Sequence, residues 1–333
     1  MDETRIAQEP LGERDAARLL VLERASGATH HGHVRDLPRW LEPGDLLVAN
    51  ATRVRNARLR GRKASGGAVE ALLLGPGDVP HSQRALLRCR GRLSPGLKLR
   101  FQGGGQNLDA EVTGVDADGQ VSLAFAPGPS PYVLGEMPLP PYIRRPVPDP
   151  RDTERYQTVF AREEGSVAAP TAGLHLTHRL LSELAEKEVG WAEVVLHVGA
   201  GTFRPLRPED LAARRLHAEP YEVPAATVGA VARARAARGR VVAVGTTSTR
   251  VLESCAEADG SLRPGRGETD LFVLPGFRFR VVDALLTNFH LPRSSLLLLV
   301  AAFAGREQLL RAYDEAIARS YRFYSYGDAM LIL

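Results

Sequence analysis

The stretch AVEALLLGPGDVPHSQRALLRCRGRLSPGLKLRFQGGGQNLDAEVTGVDADGQVSLAF, residues 68 to 125, decides the fold. Within it AVEALLL, QRALLRCR, LKLRF, LDAEVTGV and QVSLAF read as short strands. Glycine and Asp-Gly turns separate them, including Asp116-Ala117-Asp118-Gly119. Short strands at this spacing predict a small β-barrel over residues 58–126.

On either side the pattern changes. Nine prolines between 127 and 150 make residues 127–149 a stiff, extended connection and exclude a helix there. Upstream, RLLVLER and GDLLVAN read as strands around a short helix near Leu37 to Leu41. Downstream the chain becomes α/β. Thr177 caps a helix that ends near Gly190, a strand follows at 191 to 198, and Pro208 and Asp210 open another helix. Alanine-rich 225 to 238 is a third helix, RVVAVG a buried strand, and TTSTRVLESCAEA the helix after it. LFVL, FRFRVV and ALLTNF read as strands, and 306 to 319 as helix. The expected architecture is a mixed α/β main domain, residues 1–57 and 150–333, interrupted by an all-β barrel.

The 333 residues suffice for two cores, and a charged share of 25% is that of an ordinary globular protein. Cys89 and Cys255 stand far apart without ligand-spaced neighbours, so neither a disulfide framework nor a zinc site is expected. His30, His31 and His33 lack a distant ligand set, so no metal is expected there either. MDETRIAQEP has no apolar core of a signal peptide, and LLLLVAAFA at 296 to 304 is too short to cross a bilayer. A cytoplasmic protein without a membrane partner is expected. The net charge is +4, and six cations crowd between Arg53 and Lys63, among them Arg55 and Arg58. Such a cluster is either a solvated strand face or a phosphate-binding surface.

No GxxxxGK[ST] motif occurs, and Arg204 occupies the last glycine position of a dinucleotide fingerprint in GAGTFR. Three other stretches carry site character. APTAGLHL (169–176) leads from a Pro-Thr-Ala-Gly turn, with Thr171 and Gly173, to His175. LHVGAGTF (196–203) leads from His197 into Gly199, Gly201 and Thr202. LLTNFHLPRSS (285–295) places Asn288 and His290 after a strand. Each histidine taken singly reads more often as a packed, hydrogen-bonded residue than as a catalyst; three at strand ends or turns point together to a site. The flat glycine run at 199–201 would admit a ligand ring with His197 at its edge. GTTSTR (245–250) runs from a strand into a helix and offers Thr247, Arg250 and free N–H groups to an anion, or simply caps the helix.

The ordered strings PLPPYI, RYQTVFA, GSVAAPTAGLH, LHVGAGTF, VGTTSTRVLES, TDLFVLPGF, LLTNFHLPRSSLL and YRFYSYGDAM closely resemble the S-adenosylmethionine:tRNA ribosyltransferase-isomerase family of queuosine biosynthesis. The likeness covers essentially the whole chain. It departs at Ala51, at Leu176 and around His217, Glu219 and Tyr221. The resemblance implies transfer and isomerisation of the ribosyl part of S-adenosylmethionine onto the aminomethyl group of a 7-deazaguanine in a tRNA anticodon. Epoxyqueuosine-tRNA, adenine and methionine would result. It implies a monomer with tRNA and S-adenosylmethionine as partners, the latter a co-substrate, and neither cofactor nor metal. His175, His197 and His290 are then the candidate acids and bases. Thr171, Gly173, Gly199, Gly201, Thr202, Thr247, Arg250 and Asn288 are candidate substrate contacts, and Arg53, Arg55, Arg58 and Arg204 candidate tRNA contacts. Glu219, Asp270 and Asp283 are the alternative bases. Two rival functions are an S-adenosylmethionine-dependent tRNA methyltransferase and a non-catalytic RNA-binding protein.

Overall fold

The most apolar runs form the centre of a nine-stranded sheet. Leu46–Asn50, Val241–Val244 and Ala284–Asn288 are buried at every position, as strands covered on both faces must be. With Gly190–Leu196 they make four parallel strands in the spatial order Gly190–Leu196, Leu46–Asn50, Val241–Val244, Ala284–Asn288. Antiparallel Arg215–Val223 and Gly265–Leu271 extend one side. Ala329–Ile332, Arg18–Leu22 and Thr29–His33 extend the other. This is a computed structural model, and it describes residues 3–333 except 146, 148, 200, 202–205 and 207. The expected contacts Thr202 and Arg204 lie outside the described residues.

Alternate side chains point to opposite faces of the sheet, so two cores result. Val48, Val194, Ala243 and Leu285 pack on one face beneath Gly245–Ser254 and Ser295–Ala304. Leu47, Ala49, Val242 and Leu286 pack on the other against Leu180 and Leu184 of the helix His178–Glu186. Thr177 caps that helix by accepting Leu180 N at 3.1 Å. Leu176, one of the departures from the family strings, is fully buried in this second core with Phe160.

Six antiparallel strands form a closed barrel: Arg58–Lys63, Ala68–Pro76, Ser82–Cys89, Lys98–Gly103, Gln106–Val115 and Gln120–Phe125. Closure leaves no open edge for another chain to pair with. Leu59, Phe101, Val112 and Leu123 fill its interior. At Gly61 a Cβ would stand 2.4 Å from Arg100 O, so only glycine lets these strands approach. A parallel pair, Thr52–Val54 with Glu163–Ser166, leads from the sheet to the barrel.

Several local expectations are corrected. The helix near Leu37 to Leu41 is a 3-10 turn over Val34–Arg39 that contains Pro38. Among its described residues the proline-rich segment holds one helical turn, Pro131–Leu134, with proline at its first turn, where a missing N–H costs nothing. Residues 215–223, assigned no element from sequence, pair as a strand. FRFRVV is not a strand, and of LFVL only Leu271 belongs to one. The reason lies in Glu253 on the helix Gly245–Ser254. Its buried carboxylate accepts Arg280 N at 2.9 Å, Val281 N at 3.0 Å and Val282 N at 2.9 Å, the donors a neighbouring strand would have used. Replacing this group by Glu253→Ala should lower unfolding free energy by about 3 kcal/mol or more, since buried unpaired donors cost about 1–3 kcal/mol each. Glu253→Gln, which keeps one acceptor oxygen, should lose less. Urea denaturation of both variants checks this, and an alanine variant within 1 kcal/mol (roughly the value of one hydrogen bond) contradicts it.

Candidate functional site

The four parallel strands all end at the same edge of the sheet, at Asn50, Leu196, Val244 and Asn288. From Leu46–Asn50 the chain continues, after the barrel, to one neighbour, Gly190–Leu196. It then passes to the other neighbour, Val241–Val244. Ligands of open α/β sheets bind in the crevice outside the strand ends at such a switch. A cleft of about 1130 Å³ lies at this edge, lined by Thr171, Gly245, Thr247, Arg250, Asn288 and His290 among others.

Gly245 starts its helix with φ +90°, a conformation that favours glycine, and no side chain caps the helix. The capping explanation of the hydroxyl-rich run therefore fails. Ser248 and Thr249 donate back to the carbonyls of Val244 and Gly245 at 2.9 and 3.1 Å, whereas the buried Thr247 Oγ1 has no partner among the described residues. It faces the cleft unmatched.

Arg250 lines the cleft, but its donors are engaged. Nη1 contacts Glu219 Oε2, Nε donates to Leu271 O at 3.1 Å, and Nη2 donates to Thr269 O at 3.2 Å. Glu219, 1% exposed, also accepts Gly199 N at 2.8 Å and lies 3.3 Å from His217 Nε2. Burial alone would raise its carboxyl. The hydrogen bond from His217 and the charge of Arg250 outweigh this and hold it below the usual range. Arg250, a ligand-binding candidate in the sequence, is instead bound to Glu219, a pairing that no local sequence signal marks.

The glycine run also has another occupant. A Cβ on Gly201 would stand 2.2 Å from the His217 ring, and one on Gly199 3.5 Å from it. The imidazole of His217, not a ligand ring, takes up the close approach these glycines allow. Gly173 likewise packs on Phe160, where a Cβ would meet the ring at 2.8 Å.

The three histidines do not share one surface. His290 lines the cleft, with Nε2 2.8 Å from Thr287 Oγ1, and its backbone N donates to Tyr313 Oη at 2.8 Å. His175 stands behind Asn288, which donates Nδ2–H to His175 Nε2 at 3.0 Å and to Tyr324 O at 3.0 Å. Asn288 Oδ1, buried in the cleft wall, has no partner among the described residues. His197 is half-buried off the cleft, its Nδ1 2.8 Å from Thr52 Oγ1 and its ring against Gly165. Burial, then the charge of Arg55, lowers its pKa.

Of the alternative bases, Asp283 accepts Val241 N at 2.9 Å and Asp270 pairs with Arg215 at 3.2 Å on an edge strand. Arg53 is exposed beside Thr52, and Arg55 lies 3.9 Å from Glu164. Arg58 donates to Leu139 O at 2.6 Å, tying the barrel to the proline-rich segment.

Burial pulls His175 and His290 down to about 4, so both imidazoles are neutral near pH 7. An unfolded chain takes up those protons near the ordinary 6.5. Stability from each is therefore complete above about 6.5 and lost as pH falls toward 4, by roughly 3 kcal/mol per imidazole. In denaturation from pH 7.5 to 4, wild type should lose that much more stability than His290→Asn. A pH-independent difference between the two would refute the buried neutral imidazole.

The description "Queuosine biosynthesis protein" belongs to the family whose sequence model matches residues 1–332. A relative from Moorella thermoacetica, named S-adenosylmethionine:tRNA ribosyltransferase-isomerase, is 51% identical over 333 residues, covering 98% of this chain and 96% of its own. One of the same name from Acidithiobacillus ferrooxidans is 53% identical over 327 residues, covering 98% and 94%. The crystal structure of an S-adenosylmethionine tRNA ribosyltransferase from Thermotoga maritima superposes with a TM-score of 0.58 at 39% identity, covering 100% of this chain and 98% of that one. With the cleft at the switch of an α/β sheet and the inserted barrel, these matches place the chain in the S-adenosylmethionine:tRNA ribosyltransferase-isomerase family of queuosine biosynthesis enzymes.

Proposed function

We propose that this chain transfers the ribosyl part of S-adenosylmethionine to the aminomethyl group of a 7-deazaguanine in a tRNA anticodon. Isomerisation then gives epoxyqueuosine-tRNA and releases adenine and methionine. Neither a cofactor nor a metal is part of the proposal. One observation carries it: a neutral imidazole, an unpaired hydroxyl and an unpaired amide oxygen converge on a cleft large enough for two substrates.

The sulfonium of S-adenosylmethionine acidifies the adjacent 5′ carbon, and a neutral imidazole can take that proton. Of the three histidines His290 alone lines the large cleft. It is the proposed base, and His175 positions Asn288. Thr247 Oγ1 and Asn288 Oδ1 supply the unmatched polar groups that fix a substrate's orientation. Because Glu219 neutralises Arg250, the wall there does not repel a sulfonium. Protonation of the departing adenine requires an acid, and the imidazolium formed at His290 can return its proton to this or a later step.

Incubation with tRNA and S-adenosylmethionine tests the reading. Adenine and methionine are expected; S-adenosylhomocysteine would indicate a methyltransferase, and binding without turnover a non-catalytic RNA-binding protein. His290→Gln should slow adenine release by about two to four orders of magnitude while tRNA binding persists. Turnover within about tenfold of wild type would remove His290 from the chemistry. Exposed Arg53 and half-buried Arg55 are the proposed phosphate contacts of the 53–63 cluster. Arg53→Ala should flatten the log–log salt dependence of tRNA affinity by roughly 0.7 to 0.9, the value of one phosphate contact. An unchanged slope would assign Arg53 to a solvated face.

A further inference from the structure

The geometry points to an oxyanion site, for a carboxylate or phosphate group, in a second pocket on the far side of the His175–Asn288 hydrogen bond. This pocket has a volume of about 70 Å³ and is lined by Arg14, Arg155, His175, Arg322 and Ser325 among others. One water needs roughly 10–15 Å³, so a carboxylate or phosphate group has room. Ser325 lines both this pocket and the large cleft.

The sign of the ligand follows from a chain of hydrogen bonds. Tyr324 O accepts one N–H of the Asn288 amide, which fixes the amide's orientation. The other N–H of that amide points to His175 Nε2, which must therefore be the acceptor. In a neutral imidazole the proton then resides on Nδ1. His175 is 4% exposed, and its Nδ1 has no protein partner among the described residues. The pocket thus presents, from a buried imidazole, an N–H donor without an acceptor among the described residues.

Charge selects further. Arg14 is held by the carbonyls of Gln157, Leu174 and Glu154, so it contributes its charge more than free donors. Arg155 is half-buried, and its guanidinium has no hydrogen bond or ion pair among the described residues. Arg322 lies 3.6 Å from Asp328, whose carboxylate Arg18 also contacts at 3.1 Å. Nearby Asp152 is matched by Arg145 at 3.2 Å, so the opposing carboxylates are Asp328, whose charge reaches His175 but is matched by Arg18 and Arg322, and exposed Glu154. A cation would meet this surplus of guanidinium charge and a donor it cannot accept. An oxyanion matches both the charge and the N–H.

Two sources share this chemistry, a free carboxylate such as that of methionine and a nucleic-acid phosphate. The full-length protein, 15N-labelled at histidine, separates them by NMR titration with inorganic phosphate, L-methionine and a short single-stranded oligoribonucleotide. Inorganic phosphate should shift the His175 Nδ1 resonance saturably and leave exposed His33 unmoved. A matching shift with methionine assigns the carboxylate; one with the oligoribonucleotide assigns the backbone phosphate. Arg155→Ala should keep the ligand-free spectrum and bind phosphate about tenfold or more weakly, the loss of one charge-assisted contact. No saturable His175 shift with any probe, or equal affinity in Arg155→Ala, overturns the site. No turnover is involved, so the outcome is independent of the adenine-release assay, whose failure would refute the reaction and not this pocket.

Discussion

The buried amide of Asn50 holds the sheet together at the point where it divides. Its Oδ1 accepts Leu196 N at 3.0 Å and Thr52 N at 3.1 Å, and its Nδ2 donates to Leu196 O at 2.9 Å. The side chain thus acts as an extra peptide unit one step past the last backbone pair, Val194 with Asn50. Beyond it the two strands part. Thr52–Val54 turns toward Glu163–Ser166 and the barrel, while His197 N donates to Pro220 O at 3.0 Å. An apolar residue here would strand Leu196 N and O in a dry interior at about 1–3 kcal/mol each. The barrel can leave the sheet, and the cleft can open beside it, because one amide satisfies both strands.

Much of the fold is legible in local sequence because single elements carry their own signals. VVAV and ALLTN are apolar enough to be recognised as doubly covered strands, and Thr177 announces its helix by the bond it makes three residues on. What fails is whatever depends on a partner distant in sequence. FRFRVV has strand composition, yet Glu253, some 27 residues earlier, captures its N–H groups. The same limit governs the site. The turns at His175, His197 and His290 are visible, but Asn288 stands between His175 and the cleft, and His217 fills the space over Gly201. The signal for His217 was present in the sequence, an imidazole two residues before Glu219, but nothing local ties it to a glycine turn some sixteen residues earlier.

Electrostatics ties the cleft to the proposed chemistry. Burying Arg250 and Glu219 together costs desolvation of two ions, which is repaid only when each finds several partners. Arg250 has Glu219, Leu271 O and Thr269 O; Glu219 has Arg250, Gly199 N and His217. The result is a wall that is polar without net charge. His175 and His290 are held neutral by burial, so they add no cation to it. Exposed Arg293 lines the same cleft nearer solvent. In a low-dielectric interior a fixed positive charge would oppose a sulfonium strongly, whereas the same charge at the solvent-screened mouth attracts a polyanion. A neutral interior below a cationic mouth is therefore the distribution that a sulfonium co-substrate and an RNA substrate require of one cleft.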